Sequence, residues 1–319
     1  MPAVSRHDLL ASRGPKNSVD PRRPYAFLVE QERSAVGQLE DVATIFLTNK
    51  ECPFSCVYCD LWKNTTDRPV QPGDIPAQID YALSRLPSTT SIKLYNSGNF
   101  FDPQAIPQED FPAIIERVKS FERVIVENHP SLVSEKCVRF RDQLGTELEI
   151  AMGLETVHPT VLPRLHKQMT VDDFCHAASF LRRHGIHVRA FILLMPPFMP
   201  ADEAVRWAAR SVATAVEAGA GCSAIIPTRG GNGLMEQFAL LGQFSPPTLA
   251  MLEDSFAASL ALPELKTPHS SRIFVDLWDL EKLYTCSHCG PQRKARLAQM
   301  NHNQQLLSEI ACHCLTPGP

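Results

Sequence analysis

The sequence has no hydrophobic run long enough to cross a membrane. Its longest apolar stretch, residues 190–201, contains three prolines and falls short of the roughly 20 residues that a membrane-spanning helix needs. The first residues also lack an apolar segment preceded by positive charge, which argues against a signal peptide. We therefore expect a cytoplasmic protein with no membrane partner.

An excess of positive charge is also missing. The chain carries 31 Lys and Arg against 35 Asp and Glu, a formal net charge of −4, so no global field gathers nucleic acid, although a local basic patch remains compatible with this balance. Glycine is scarce, at 15 of 319 residues, and no low-complexity tract is present, which excludes a fibrous or disordered chain. What remains, 44% hydrophobic and 21% charged residues, is the composition of a globular protein with a sizeable core.

Short β-rich runs alternate with amphipathic segments along most of the chain. The predicted strands are residues 42–48, 91–95, 123–127, 147–154, 187–194 and 222–226. The predicted helices, in which apolar residues recur three and four positions apart, are residues 75–85, 108–120, 134–144, 171–184 and 202–218. Alternation of this kind favours a parallel sheet with right-handed crossovers. The sequence predicts an α/β fold, a partial (β/α)6 barrel similar to a TIM barrel, with its chemistry on the loops that follow the strands.

The two ends of the chain depart from this pattern. The first 25 residues mix five Lys and Arg with two Asp and are expected to form a mobile basic arm. After residue 246 the pattern changes to helical segments, a strand-like segment at 272–277 and a cysteine-bearing tail. We therefore divide the chain into an N-terminal extension (1–40), a barrel core (41–265) and a small Cys-rich C-terminal metal-binding extension (266–319).

Three cysteines follow the first predicted strand on one short loop. Cys52, Cys56 and Cys59 have the spacing C-x3-C-x2-C. Three thiolates can bind three irons of a [4Fe–4S] cluster and leave the fourth iron open to a small chelating molecule. Zinc is the alternative, but a structural zinc site uses four protein ligands, and this loop offers three with no nearby histidine. The spacing therefore favours an iron–sulfur cluster.

This loop resembles that of the radical S-adenosylmethionine superfamily, which has the same cysteine spacing, an aromatic residue before the third cysteine, here Tyr58, and a partial (β/α)6 barrel. The resemblance implies that the three cysteines bind a [4Fe–4S] cluster whose open iron is chelated by S-adenosylmethionine. In that superfamily an electron from the cluster cleaves the sulfonium and gives a 5′-deoxyadenosyl radical. It implies in turn an external electron donor such as flavodoxin or ferredoxin.

The resemblance also implies where the barrel would hold S-adenosylmethionine. The predicted cofactor-binding residues are Tyr58, Ser97, Gly98, Asn99, Glu127, Glu155, Lys167 and Arg189. Asn99 stands where the family usually has an acid that binds the methionine amino group. Glu127 and Glu155 are expected to bind ribose hydroxyls or the ammonium, or else to cap a helix or be solvated at the rim. Lys167 and Arg189 are the candidates to neutralise the methionine carboxylate, unless they are ordinary surface cations.

A second group of cysteines lies close to the C-terminus and consists of Cys286, Cys289, Cys312 and Cys314. Two close pairs separated by a helix-length spacer offer four soft ligands, which suits tetrahedral zinc. Four thiolates also suit an auxiliary [4Fe–4S] cluster, and disulfides or unliganded thiols are the remaining alternatives. The basic residues at 293, 294 and 296 could contact nucleic acid or form a solvated helix face.

Further segments narrow the resemblance to one branch of the superfamily. The segments are ENHP at 127–130, GLET at 153–156, LHKQMT at 165–170 and NGLME at 232–236. With the C-terminal cysteine pairs they resemble the branch of the archaeosine synthase radical subunit and the elongator-type radical domain, which implies tRNA and a partner protein.

We therefore predict a radical enzyme that reductively cleaves S-adenosylmethionine to modify tRNA or a nucleoside, with the glycine-containing loop 228–233 beside its substrate. One alternative is a radical enzyme that acts on a small metabolite or a peptide. The other is a non-catalytic iron–sulfur or zinc protein that binds nucleic acid.

Overall fold

A curled sheet of eight strands lies at the centre of the molecule in the computed structural model, which describes residues 5–266, 271–312 and 314. In chain order, which is also their order in the sheet, the strands are β1 (Ala26–Arg33), β2 (Leu39–Phe46), β3 (Ser91–Tyr95), β4 (Arg123–Glu127), β5 (Glu147–Glu155), β6 (His187–Leu194), β7 (Cys222–Pro227) and β8 (Arg272–Val275). β1 pairs antiparallel with β2, and each later strand pairs parallel with its neighbour. The predicted α/β class and partial barrel are confirmed.

Helices connect the strands, and most of them cover the outer face of this sheet. In the described part of the chain they are α1 (Arg6–Ala11), α2 (Asp74–Leu83), α3 (Phe111–Val118), α4 (Glu135–Leu144), α5 (Val171–Arg183), α6 (Ala204–Glu217), α7 (Leu234–Leu240), α8 (Leu249–Leu260) and α9 (Gly290–Asn303). Local chemistry sets their ends: α5 begins where the hydroxyl of Thr170 accepts a hydrogen bond from the Asp173 amide at 3.2 Å. None of these helices combines the length and apolar character that crossing a membrane requires.

The strands sort their side chains between two faces. Successive residues of a strand point to opposite sides of the sheet. On β3, Ile92 and Leu94 point towards the helices and are fully buried. The alternate residue Tyr95 points into the barrel, where its ring lies 6.0 Å from that of Phe191 on β6. The strand residues that point the same way as Tyr95 therefore line the barrel interior, and the hydrophobic core lies between the sheet and the helices.

Charged side chains fill the end of the barrel at which the parallel strands begin. Arg189 on β6 donates to Glu32 on β1 at 2.9 Å and also binds Glu149 on β5. The Nζ of Lys93 is 2.6 Å from Glu32, and Arg272 on β8 is 3.5 Å from Glu149. These buried pairs join the first strand to the last, and removal of one partner would leave an uncompensated charge.

Two features at the chain ends were not expected. β1 was not predicted, because a strand that pairs antiparallel at the edge of the sheet needs no crossover helix and so lies outside the βα pattern. Residues 5–25 do not form the mobile arm that their charges suggested, since Leu9 is only 3% exposed and basic side chains pair with acids of the barrel, as Arg13 does with Glu51; residues 1–4 lie outside the described part of the chain. The sheet runs through all three predicted segments, and their division at residues 40 and 265 stays a prediction.

Candidate active site and metal sites

The loop with Cys52, Cys56 and Cys59 follows β2 at the edge of the sheet where the parallel strands end. Its backbone is held both internally and by the barrel: the Cys59 amide donates to the Cys56 carbonyl at 3.2 Å, and the Val57 amide donates to the Leu165 carbonyl at 3.1 Å. The three cysteines are half-buried. The structure therefore brings the three predicted ligands together at the mouth of the barrel.

A side chain from the opposite side of the barrel also fixes this loop. Asn232, 5% exposed, donates from Nδ2 to the carbonyls of Val57 at 2.8 Å and Cys59 at 3.2 Å. Its Oδ1 accepts from the Met235 amide at 2.8 Å, in the first turn of α7. The sequence predicts that this segment lies beside the substrate but gives Asn232 no role, and the position of Asn232 between two glycines is the available signal.

The surroundings of the three thiols fit a metal cluster. Burial raises the pKa of all three, that of Cys56 to about 11, so thiolates here need positive charge close by. Lys167 supplies one such charge, and iron would supply the rest.

The segment Ser97-Gly98-Asn99 lies against the cysteine loop. Nδ2 of Asn99 donates to Sγ of Cys52 at 3.3 Å, and its Oδ1 accepts from the His129 amide at 2.8 Å. Gly98 packs so closely that a Cβ there would lie 3.2 Å from the Cβ of Cys52. An amide can donate to a thiolate, whereas an ionised carboxylate cannot, which gives a physical reason for Asn at the position of the family's acid.

Glu155 and Lys167 form an ion pair beside the cysteine loop, with Nζ 2.7 Å from Oε1. Glu155 ends β5 with a φ of +64° next to a bulge in the β5–β6 pairing, a backbone conformation that is uncommon outside glycine and recurs at functional sites. A Cβ on Gly153 would overlap both charged groups. Burial alone would lower the pKa of Lys167, but Glu155 and the thiol of Cys56 outweigh it and raise that pKa.

Glu127 and Tyr58 complete this group. The Oε2 of Glu127 accepts from the Asn96 amide at 2.9 Å, and burial, opposed in part by such backbone amides, raises its pKa to about 7. Burial also raises the pKa of Tyr58, whose electrostatic neighbours include Cys56 and Glu155. The predicted cofactor residues at positions 58, 97–99, 127, 155 and 167 therefore share one region.

Arg189 does not belong to this region. It is the third residue of β6 and binds Glu32 and Glu149 at the end of the barrel opposite to the cysteine loop. Because both carboxylates occupy its guanidinium, we do not include Arg189 in the proposed cofactor site.

Several buried polar atoms at the barrel mouth have no hydrogen-bond partner among the described residues. They are both side-chain polar atoms of Asn96, Oδ1 of Asn128 and Oγ1 of Thr228, and these residues directly follow β3, β4 and β7. Unpaired buried polar groups are rare in native proteins and indicate an absent ligand or water. The mouth thus has unused hydrogen-bonding capacity that suits a polar cofactor.

The four C-terminal cysteines form a compact group at the start of α9. Their sulfurs all lie within 4.8 Å of one another, and Sγ of Cys289 is 3.7 Å from Sγ of Cys314. Tetrahedral zinc with bonds of about 2.3 Å places its sulfurs about 3.8 Å apart. The group therefore fits one metal ion, and the predicted metal-binding C-terminal segment is supported.

Two of the nearby basic residues are not available to nucleic acid. Arg293 donates from Nε to Glu253 at 3.0 Å. Arg296, 5% exposed, binds the same carboxylate at 3.3 Å and the Ser308 carbonyl at 2.8 Å. Their partners lie inside the protein, so these arginines hold α9 in place and do not form the nucleic-acid contact that the sequence suggested.

Comparison with known proteins identifies the family. The family model described as the Radical SAM superfamily matches residues 47–208, just over half of the chain. The archaeosine synthase subunit beta of Methanosarcina acetivorans is 25% identical over 273 residues, covering 81% of this chain and 77% of that protein. An uncharacterized protein of Methanocaldococcus jannaschii is 22% identical, covering 92% of this chain and 86% of that protein.

A solved structure agrees in fold. The Elp3 of the archaeon Methanocaldococcus infernus matches with a TM-score of 0.50 at 15% identity. The match covers 71% of this chain but only 58% of that one, less than two thirds of its length, and it supports the fold alone. Together with the family match, these findings show that the chain belongs to the radical SAM superfamily and is a radical SAM enzyme.

Proposed function

We propose that the protein holds a [4Fe–4S] cluster at Cys52, Cys56 and Cys59 and reductively cleaves S-adenosylmethionine at the mouth of the barrel. The observation that carries this proposal is that three thiols lie half-buried on one loop beside the Lys167–Glu155 ion pair, and that this loop contains no fourth cysteine and no histidine. When bound, the cluster supplies the electron for cleavage. The protein has to orient the cofactor and keep water away from it.

Each residue around the cysteine loop has its own role in binding the cluster or the cofactor. Asn99 stabilises the Cys52 thiolate through its amide. Lys167 is the cation for the methionine carboxylate, and Glu155, its partner at 2.7 Å, is left to accept from the ammonium or the ribose. Glu127 receives backbone amides from the segment that follows β3 and holds that segment against the cysteine loop.

The substrate we propose is tRNA, which the enzyme modifies with the help of a partner protein and a flavodoxin or ferredoxin as electron donor. The support is similarity to an archaeosine synthase subunit over 81% of this chain. A small metabolite or a peptide is the alternative substrate, and the experiment below separates the two.

At the C-terminal cysteines we propose a single zinc ion. The 3.7 Å separation of two sulfurs agrees with ligands that share one ion and is too short for thiolates on different irons of a cluster. Its role is structural, because four protein ligands leave no open position.

Anaerobic reconstitution with iron and sulfide, followed by addition of S-adenosylmethionine and a reductant, tests the proposal. We expect 5′-deoxyadenosine from the parent and from Cys175→Ala, a control cysteine on α5 that lies outside both groups. Bulk tRNA should increase its formation more than nucleosides or peptide fractions do. An increase with small molecules alone would favour the alternative substrate, and absence of 5′-deoxyadenosine under all conditions would refute the activity.

A further inference from the structure

The first part of the chain lies across the cysteine loop. We call residues 5–25 the N-terminal strap. The side chain of Leu9 is buried in the core, and the Ser12 carbonyl lies so close to Gly233 that a Cβ there would overlap it. Gly233 has a φ of +89° and begins the turn into α7, next to Asn232. The strap therefore meets the loop after β7, which also fixes the cysteine loop.

Arg13 contacts both ends of the cysteine loop. Its Nη1 is 2.5 Å from Oε1 of Glu51, the residue that precedes Cys52. Its guanidinium carbon lies 4.7 Å from the centroid of the Trp62 ring, and Nε1 of Trp62 donates to the Cys59 carbonyl at 3.2 Å. The Arg13 side chain is 11% exposed, and a planar guanidinium can pair with a carboxylate and stack on a ring at the same time.

Two further residues of the strap extend this contact. Lys16 lies between the carboxylates of Glu51, at 3.1 Å, and Asp67, at 2.9 Å. The Asn17 amide donates to the Lys63 carbonyl at 2.8 Å. The strap thus binds the chain on both sides of the cysteines, from residue 51 to residue 67.

The strap ends at the second segment of the proposed cofactor site. The hydroxyl of Tyr25 is 3.1 Å from that of Ser97, which has a φ of +53° and precedes Gly98 and Asn99. One continuous segment therefore contacts both the proposed cluster loop and the proposed methionine-binding segment.

We propose that the N-terminal strap is a working part of the radical site, with Arg13 as a positioning residue that keeps the cysteine loop in its cluster-binding shape and shields it from oxygen. The proposal rests on the cluster assigned above to Cys52, Cys56 and Cys59. A loop that carries all three proposed ligands depends on its supporting contacts, and loss of such contacts around metal ligands typically weakens binding by about 10- to 100-fold.

The test compares Arg13→Ala, Arg13→Lys and the control Arg22→Ala after anaerobic reconstitution. Arg22 lies in the same strap, but its side chain is 71% exposed and its Nε is 3.9 Å from the carboxylate of Asp74. The measurements are iron and sulfide per chain, the rate at which the visible iron–sulfur absorption decays in air, and the melting temperature of the metal-free protein. We expect decay about tenfold faster in Arg13→Ala, an intermediate rate in Arg13→Lys and the parent rate in Arg22→Ala.

Arg13→Lys keeps the proposal testable if Arg13→Ala does not fold, because it retains the charge that pairs with Glu51. This variant should still lose its cluster faster than the parent and than Arg22→Ala. Decay at the parent rate in folded Arg13→Ala, or in Arg13→Lys where Arg13→Ala does not fold, would overturn the role of the strap. A parent protein that takes up no iron at its three cysteines would instead refute the proposed function.

Discussion

Both metal sites that we propose for this chain are built from cysteines, but their proposed roles differ. The first group has three cysteines on one loop, enclosed at the barrel mouth and held by side chains from elsewhere, such as Asn99 and Asn232. The second has four cysteines within 4.8 Å of one another, drawn from the turn before α9 and from the tail. A metal site with only three protein ligands leaves one position open to a cofactor, whereas four protein ligands fill every position around a single zinc ion.

The second group lies at the start of the helix that packs beside the last strand of the barrel. α9 starts directly after Cys289 and carries Asn301 near its end, whose side chain exchanges hydrogen bonds with the backbone of Val275 at 2.9 Å. Gln304 does the same for Ile273, at 2.7 and 2.8 Å. These amides satisfy the free edge of β8. In the function proposed above, the C-terminal site therefore stabilises the fold, whereas the first site carries the chemistry.

The largest effect should follow from removing the first group. Changing Cys52, Cys56 and Cys59 together to Ala should abolish reductive cleavage of S-adenosylmethionine, because these thiols are the only protein ligands that we propose for the cluster. Metal analysis should still find metal at the second group. Continued formation of 5′-deoxyadenosine would contradict the first assignment, and a variant free of both zinc and iron would contradict the second.

The next effect concerns the second group alone. Cys289→Ala should release the metal and loosen α9, since metal bound only by the folded chain contributes directly to folding. Amide exchange along α9 should become at least about tenfold faster, while exchange in β3 and β4 stays unchanged. Cys137→Ala serves as the control cysteine, because it is buried on α4, away from both groups. Unchanged exchange in α9 would show that no metal holds it.

The comparison also shows which parts of the site the sequence could predict. Ligand spacing and strand ends are local, and the positions of Cys52, Asn99 and Glu155 followed from them. Arg13 and Glu51 lie 38 positions apart, and no periodic pattern marks such a pair. Arg189 shows a different limit. Arg189 lies near the start of β6, and in a parallel barrel the starts of the strands lie away from the catalytic edge. Its position along the strand therefore argues against a role in binding the cofactor.

A smaller effect is expected from the glycine that makes room for the ion pair beside the first group. Gly153→Ala should displace Glu155 or Lys167, since the added Cβ overlaps both. Breaking a buried ion pair typically costs about 3 to 5 kcal/mol, and binding of S-adenosylmethionine should weaken as well. Gly221→Ala is the matched control, because a Cβ there meets nothing within 4 Å. Denaturant unfolding and cofactor titration of both variants provide the measurement, and equal results for the two would contradict this use of Gly153.

The smallest effect is a pH dependence that belongs to the first site and not to the second. Burial raises the pKa of Glu127 to about 7, from an ordinary value of 4.5, so folding disfavours its ionised form. The protonated carboxyl contributes its full stabilisation below about pH 4.5, and this contribution is lost as the pH rises towards 7. At 1.36 kcal/mol per unit of pKa shift, the free energy of unfolding falls by about 3 kcal/mol. In Glu127→Gln this loss should disappear, which denaturant unfolding at pH 5 and pH 8 can measure.

The parent and the Gln variant would have the same pH dependence if Glu127 were already ionised throughout. A smaller loss in the parent when S-adenosylmethionine is bound would bring Glu127 into the cofactor site directly, because the ammonium of the cofactor favours an ionised carboxylate beside it.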